Sequence, residues 1–167
     1  MKLGILTATI SECDFFPNII ELKNIGIKKS HQVDLFKNGE FNLIIENGRS
    51  VLSYNGQPFD PEEYDIILNR LSVREKSNAE YYVVEEFMKR SIPVINSPDA
   101  IMKARNKLLS LQIMSDLNVM ITRSAIIRRT EDIDRITSSF AFPLIIKNIF
   151  GSLGSSTLLV YDIKHLI

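Results

Sequence analysis

The sequence predicts an α/β protein built in two successive parts. Three observations carry that reading. A short apolar run at Lys2–Thr7 is followed by a helix-like stretch and a second strand, the order of a parallel crossover unit. An Asn47-Gly48 pair sits between two β-rich runs, which is a strong hairpin signal. After Ser97-Pro98-Asp99 a second alternation of helices and strands begins.

Taken in order, residues 2–7 read as a buried strand. Asp14 precedes a helix running to Asn24, with Pro17 tolerable in its first turn and Gly26 suited to the position just past its end. His31–Phe36 reads as the next strand. Phe41–Glu46 and Arg49–Tyr54 form the arms of the hairpin, and Asn55-Gly56 supplies another turn. Asp60-Pro61 opens a short helical turn, and Tyr64–Leu68 returns as a buried strand ending at Asn69-Arg70. Residues 77–90 form an amphipathic helix, with Tyr81, Val84, Phe87 and Met88 at helical spacing. Pro93-Val94-Ile95 is a short strand.

Ser97, Pro98 and Asp99 supply a capping serine, a proline at the first helical position and an acid in the first turn. The helical pattern runs to about Leu117, with a break near Arg105-Asn106. Met120–Ile127 reads as a strand, and Thr130 caps a helix through Ser139 with Glu131 and Asp132 in its first turn. Leu144–Ile149 and Thr157–Tyr161 read as strands, and a last helix begins at Asp162. Expected boundaries are an α/β domain over 1–96, a connecting helical segment over 97–118 and a partial second domain over 119–167.

Composition bounds the partners. Twenty basic residues offset twenty acidic ones, so the formal net charge is zero, and nucleic acid or a membrane surface is not expected as a partner. Apolar residues make up 45% of the chain, an ordinary globular fraction. Cys13 is the one cysteine, so no intrachain disulfide forms. The N-terminus lacks the pattern of a signal peptide, and no apolar run approaches the roughly 20 residues of a spanning helix. The expected compartment is the cytoplasm.

One stretch carries chemistry. Pro143–Lys147 is a strand with a lysine at its end. A small-residue loop follows, holding Gly151, Ser152, Gly154, Ser155 and Ser156, and then a second strand. Glycines let backbone N–H groups approach an anion, serines add donors, and a lysine on a rigid strand supplies a point charge for phosphate oxygens. A plain hairpin with a solvated lysine is the competing reading. Neither a Walker loop nor a dinucleotide fingerprint fits, because strand rather than helix follows the glycines.

A second stretch lies upstream: Asn96, the pair Ala100-Ile101, and Asn106-Lys107 opening a basic helix, which alone reads as a solvated helix face. Together the two stretches resemble the ATP-grasp superfamily, most closely RimK-type glutamate ligases and glutathione synthetases. There the same features occur in this order before a Pro-x-Val-x-Lys strand and a glycine-rich lid. The resemblance spans nearly the whole chain. It implies a pre-ATP-grasp α/β domain followed by the small N-terminal lobe of an ATP-grasp domain.

By that resemblance, Lys107 reaches the α-phosphate of ATP, Lys147 lies under the α- and β-phosphates, and Gly151, Ser152, Gly154, Ser155 and Ser156 cover the β- and γ-phosphates. Arg70 holds an anionic substrate or, equally, makes a structural ion pair. Ser156 stands where the family often has a third glycine, and Met120-Ile121 where it often has a proline. Family members continue into a further domain carrying the adenine-reading hinge, the catalytic arginine and the magnesium ligands. Hence no catalytic residue and no metal ligand is expected in these 167 residues. The expectation is the N-terminal part of an ATP- and magnesium-dependent carboxylate–amine ligase, cut short inside a helix and inactive alone. Its substrate would be a small-molecule or peptide carboxylate. The alternative is a non-catalytic nucleotide- or anion-binding module. The apolar strands of residues 120–161 are expected to need cover, from a complementing C-terminal lobe or a homodimer partner.

Overall fold

The computed structural model describes residues 1–8, 18–71, 79–150 and 157–165. It divides into two compact units, Met1–Met102 and Lys103–Ile167.

In the first unit, strands β1 (Lys2–Thr7), β2 (Gln32–Lys37), β6 (Ile66–Asn69) and β7 (Val94–Ile95) form a parallel sheet in the order β2-β1-β6-β7. β1 is interior to the sheet, with Leu3 opposite both Val33 and Ile66. That place explains its continuous apolar run, because both faces are covered and Ile5 and Leu6 are fully buried.

Helix α1 (Asn18–Lys28) follows β1. Its expected start at Asp14 lies outside the described residues. Its expected end is corrected: Gly26 lies inside the helix and is buried. A Cβ on Gly26 would stand 2.6 Å from Cγ2 of Val33, so glycine is there to let the helix approach β2. The left-handed turn after the helix is taken by Ser30, at φ 62°.

Strands β3 (Phe41–Glu46), β4 (Arg49–Tyr54) and β5 (Gln57–Phe59) form an antiparallel sheet. The first two have the arms the sequence predicts. Asn47 and Gly48 both take positive φ, 49° and 72°, the requirement of the tight turn that suits strand twist. Asn55 and Gly56 repeat it, and the short third strand they introduce was not expected. Its centre is Pro58, tolerated because β5 is an edge.

The core joins the two sheets through an aromatic cluster. Phe36 meets Phe41, Tyr54, Phe59 and Tyr64 edge-on at centroid distances of 5.1–5.7 Å. Phe87 closes the cluster from helix α2 (Ala79–Lys89). Such pairs contribute about 0.5–1.5 kcal/mol each beyond area burial. α2 buries Val83, Val84 and Phe87, whereas Met88, expected on the same stripe, is 43% exposed.

Glu86 is buried in Met88's stead, at 2% exposure. It accepts hydrogen bonds from the Ser50 hydroxyl and from Lys89 Nζ, the latter at 2.9 Å. Burial alone would raise its carboxyl, but those donors, with Lys89 and Arg90 nearby, hold it below the ordinary value of 4.5. Arg90 Nη2 donates to the Ser50 carbonyl at 2.7 Å, a second tie between α2 and β4.

The second unit holds helices α4 (Lys107–Asp116) and α5 (Ile133–Thr137) and the antiparallel pair β8 (Leu144–Lys147) and β9 (Thr157–Val160); helix α3 (Pro98–Arg105) crosses the division. The break at Asn106 occurs because its side chain caps α4, accepting from Leu109 N–H at 3.0 Å. Met120–Ile127 forms no strand, against expectation. Met120, Ile126 and Ile127 face solvent, and no described strand pairs with the segment. The helix expected from Thr130 to Ser139 is a 3-10 turn over Thr130–Asp132 followed by the short α5. Asp132 pairs with Arg135 at 2.8 Å instead of capping. The helix expected from Asp162 is a 3-10 turn over Ile163–His165.

Candidate functional site

The predicted site residues fall in both units, each described by itself. In the first unit, the carboxyl ends of β1, β6 and β7 lie along one edge of the parallel sheet, because the three strands run the same way. In open α/β sheets ligands bind outside that edge. Arg70 stands there, exposed, its N–H bonded to the Leu6 carbonyl at 2.9 Å. Among the described residues it makes no ion pair.

Its neighbour Asn69 escaped the sequence reading. Asn69 is 1% exposed, donates from Nδ2 to the Asn96 carbonyl at 3.1 Å and accepts from Leu71 N–H at 3.0 Å. It ties the exit of β6 to the exit of β7 and so fixes the backbone that carries Arg70. An asparagine directly ending an apolar strand was the available signal.

In the second unit, Lys107 occupies the first turn of α4, directly after the Asn106 cap. Its backbone N–H donates to the Ile149 carbonyl at 3.0 Å. Lys147 ends β8, exposed, opposite Thr157 of β9. Ile149 is two residues beyond Lys147, so this one bond holds the start of α4 against the chain leaving β8. Two basic residues and a helix start thereby sit on one corner of the unit. Gly151, Ser152, Gly154, Ser155 and Ser156 lie outside the described residues.

The donor set suits phosphate oxygens. Among the described residues no group of three or more His, Cys, Asp or Glu side chains gathers as a metal site. Among the described residues no helix is long and apolar enough to cross a membrane.

This arrangement, a parallel α/β unit followed by a smaller unit with a strand-end lysine and a helix start, is a fold the chain shares with solved ATP-grasp proteins. The chain aligns with a RimK domain ATP-grasp protein from Sphaerobacter thermophilus at a TM-score of 0.63 and 13% identity, covering 97% of this chain and 54% of that one. It aligns with the D-alanine-D-alanine ligase of Helicobacter pylori at a TM-score of 0.60 and 14% identity, covering 99% and 58%. Residues 104–166 match the RimK-like ATP-grasp domain. A relative from Vibrio vulnificus, named probable alpha-L-glutamate ligase, is 26% identical over 156 residues, 91% of this chain and 50% of the relative. Over residues 104–166 the chain is thus similar to the RimK-like ATP-grasp domain, and it spans about half the length of the curated relatives it matches.

Proposed function

We propose that the chain supplies the N-terminal half of an ATP-dependent carboxylate–amine ligase, and that Lys107 and Lys147 are its nucleotide phosphate contacts. The observation that carries this reading is the Lys107 N–H···O=C Ile149 bond, which brings the two lysines' backbones to one corner of the second unit. The RimK-like match over residues 104–166 supports it. Lys107 would reach the α-phosphate, Lys147 would hold the α- and β-phosphates, and Gly151, Ser152, Gly154, Ser155 and Ser156 would cover the β- and γ-phosphates. Arg70, at the carboxyl edge of the parallel sheet, would hold the carboxylate of a small-molecule or peptide substrate.

ATP and magnesium together would supply the activated phosphoryl group. The magnesium ligands belong to a complementing lobe, in keeping with relatives twice as long. Such a lobe would also cover the apolar side chains of Ile145, Leu158 and Leu159, which are 62%, 54% and 48% exposed. The chain alone, in this reading, binds nucleotide weakly and turns nothing over.

Calorimetric titration of the chain with ATP, with and without magnesium, tests it. Each lysine-to-phosphate bond is worth about 1.5–3 kcal/mol, so Lys147→Ala or Lys107→Ala weakens binding about tenfold to a hundredfold. Binding that both substitutions leave unchanged removes the proposed contacts. Tight binding without any magnesium dependence favours the non-catalytic nucleotide-binding module instead.

A further inference from the structure

The edge of the antiparallel sheet carries a pattern that the nucleotide reading does not use. β3 is an edge strand, with β4 on one side and no described strand on the other. The two-residue turn at Asn47-Gly48 makes Glu46 and Arg49 a hydrogen-bonded pair, so Asn42, Ile44 and Glu46 direct their N–H and C=O groups at β4. Phe41, Leu43 and Ile45 direct theirs outward. Phe41 N–H is taken by the Asn38 carbonyl, and Leu43 and Ile45 have no backbone partner there among the described residues. Open backbone groups on an apolar edge are a template for a further strand.

The side chains specify which strand. On the face away from the aromatic core, the cross-strand rows are Asn42–Ser53, Ile44–Val51 and Glu46–Arg49. Ile44 and Val51 are 54% and 46% exposed, and on the other face Ile45 projects from the end of the hairpin, 76% exposed. We propose that β3 pairs antiparallel with β3 of a second copy of this chain, about a two-fold axis through Ile44, to make one six-stranded sheet.

The register follows from the pleat. With Ile44 opposite Ile44 of the partner, Leu43 and Ile45 each face the other residue's copy, and their open backbone groups form four hydrogen bonds. Ile45 of each copy covers Leu43 of the other. On the outer face the central row becomes Val51–Ile44–Ile44–Val51, four apolar side chains in line. The flanking rows become Ser53–Asn42–Glu46–Arg49, in which each Glu46 lies between an arginine and an asparagine amide and meets no like charge. The neighbouring registers fail. Centring on Leu43 sets Ile44 against Asn42 and needs the occupied Phe41 N–H, and centring on Ile45 sets Ile44 against Glu46. The far edge, β5, is short and centred on Pro58, so growth stops at six strands.

Sedimentation velocity over a concentration series tests the seam. The chain should reach twice its 19.1 kDa. Ile44→Lys, which sets two ammonium groups opposite each other, should return the monomer mass with an unchanged circular dichroism spectrum and a melting temperature that no longer rises with concentration. Ile27→Lys, on an exposed part of α1, should remain dimeric. In a Cys13→Ser background, Ile44→Cys should cross-link to a dimer with copper–phenanthroline as oxidant, and Ile27→Cys should not. A monomer at every concentration, an open-ended series of larger species, a dimer that survives Ile44→Lys, or an Ile44→Cys that does not cross-link overturns the proposal.

Discussion

The two units differ most in what they bury. The first holds an aromatic core that joins two sheets and a helix. In the second, Val160 is the single apolar side chain that is buried among the described residues, while Ile145, Leu158 and Leu159 face water. Both are made of ordinary strands and helices with similar apolar patterning, so pattern alone does not separate them. Closure does: Phe36 and Phe41 find aromatic partners on β4, β5 and α2, whereas β8 and β9 pair only with each other among the described strands. A two-stranded pair is marginal without a packed face, so the second unit should owe its order to whatever covers it.

Core truncation gives the largest contrast. Phe87→Ala should lower the stability of the first unit by about 3–5 kcal/mol. Ile145→Ala in the second should change it by less than about 0.5 kcal/mol. Urea unfolding followed by tyrosine fluorescence and by circular dichroism measures both, and equal losses would erase the contrast.

Asn69→Ala should cost about 1–3 kcal/mol, because the Asn96 carbonyl and the Leu71 N–H lose their buried partner. Faster amide exchange at the exits of β6 and β7 would accompany it. Unchanged exchange would mean that Asn69 does not hold the edge beneath Arg70.

Asn106→Ala should cost about 1 kcal/mol and should fray the start of α4. Because the cap holds Lys107 beside Ile149, ATP affinity should fall with it even though Asn106 touches no phosphate in the proposed arrangement.

The most local effect is a pH slope. The Glu86 carboxyl is held below its ordinary value in the folded state, so its contribution is present above the unfolded value of 4.5 and is lost as pH falls through the folded one. Glu86→Gln should flatten that acid slope in urea midpoints measured between neutral and acid pH. An unaltered slope would assign it to other carboxyls. Tyr64 titrates upward, out of this range, through burial and the 2.8 Å hydrogen bond it donates to Asp34.

The fold class, the RimK-like resemblance, the Asn47-Gly48 hairpin and the break at Asn106 were legible in the residues. Each rests on chemistry local to a few positions: a positive φ that asparagine and glycine tolerate, or a side chain that reaches an N–H three residues on. The strand expected at Met120–Ile127 failed for the complementary reason, since β propensity becomes a strand only where another strand offers a ladder.

What the sequence by itself determined, then, is the alternation of elements and the two stretches that carry the lysines. Only the tertiary structure decided which ends meet. Gly26 reads as a helix stop until Val33 is seen beneath it. The Ser50 hydroxyl that bonds buried Glu86 comes from 36 residues away in the chain. The bond from Lys107 to Ile149 joins two backbones, and backbone groups are the same at every position, so no residue type announces it.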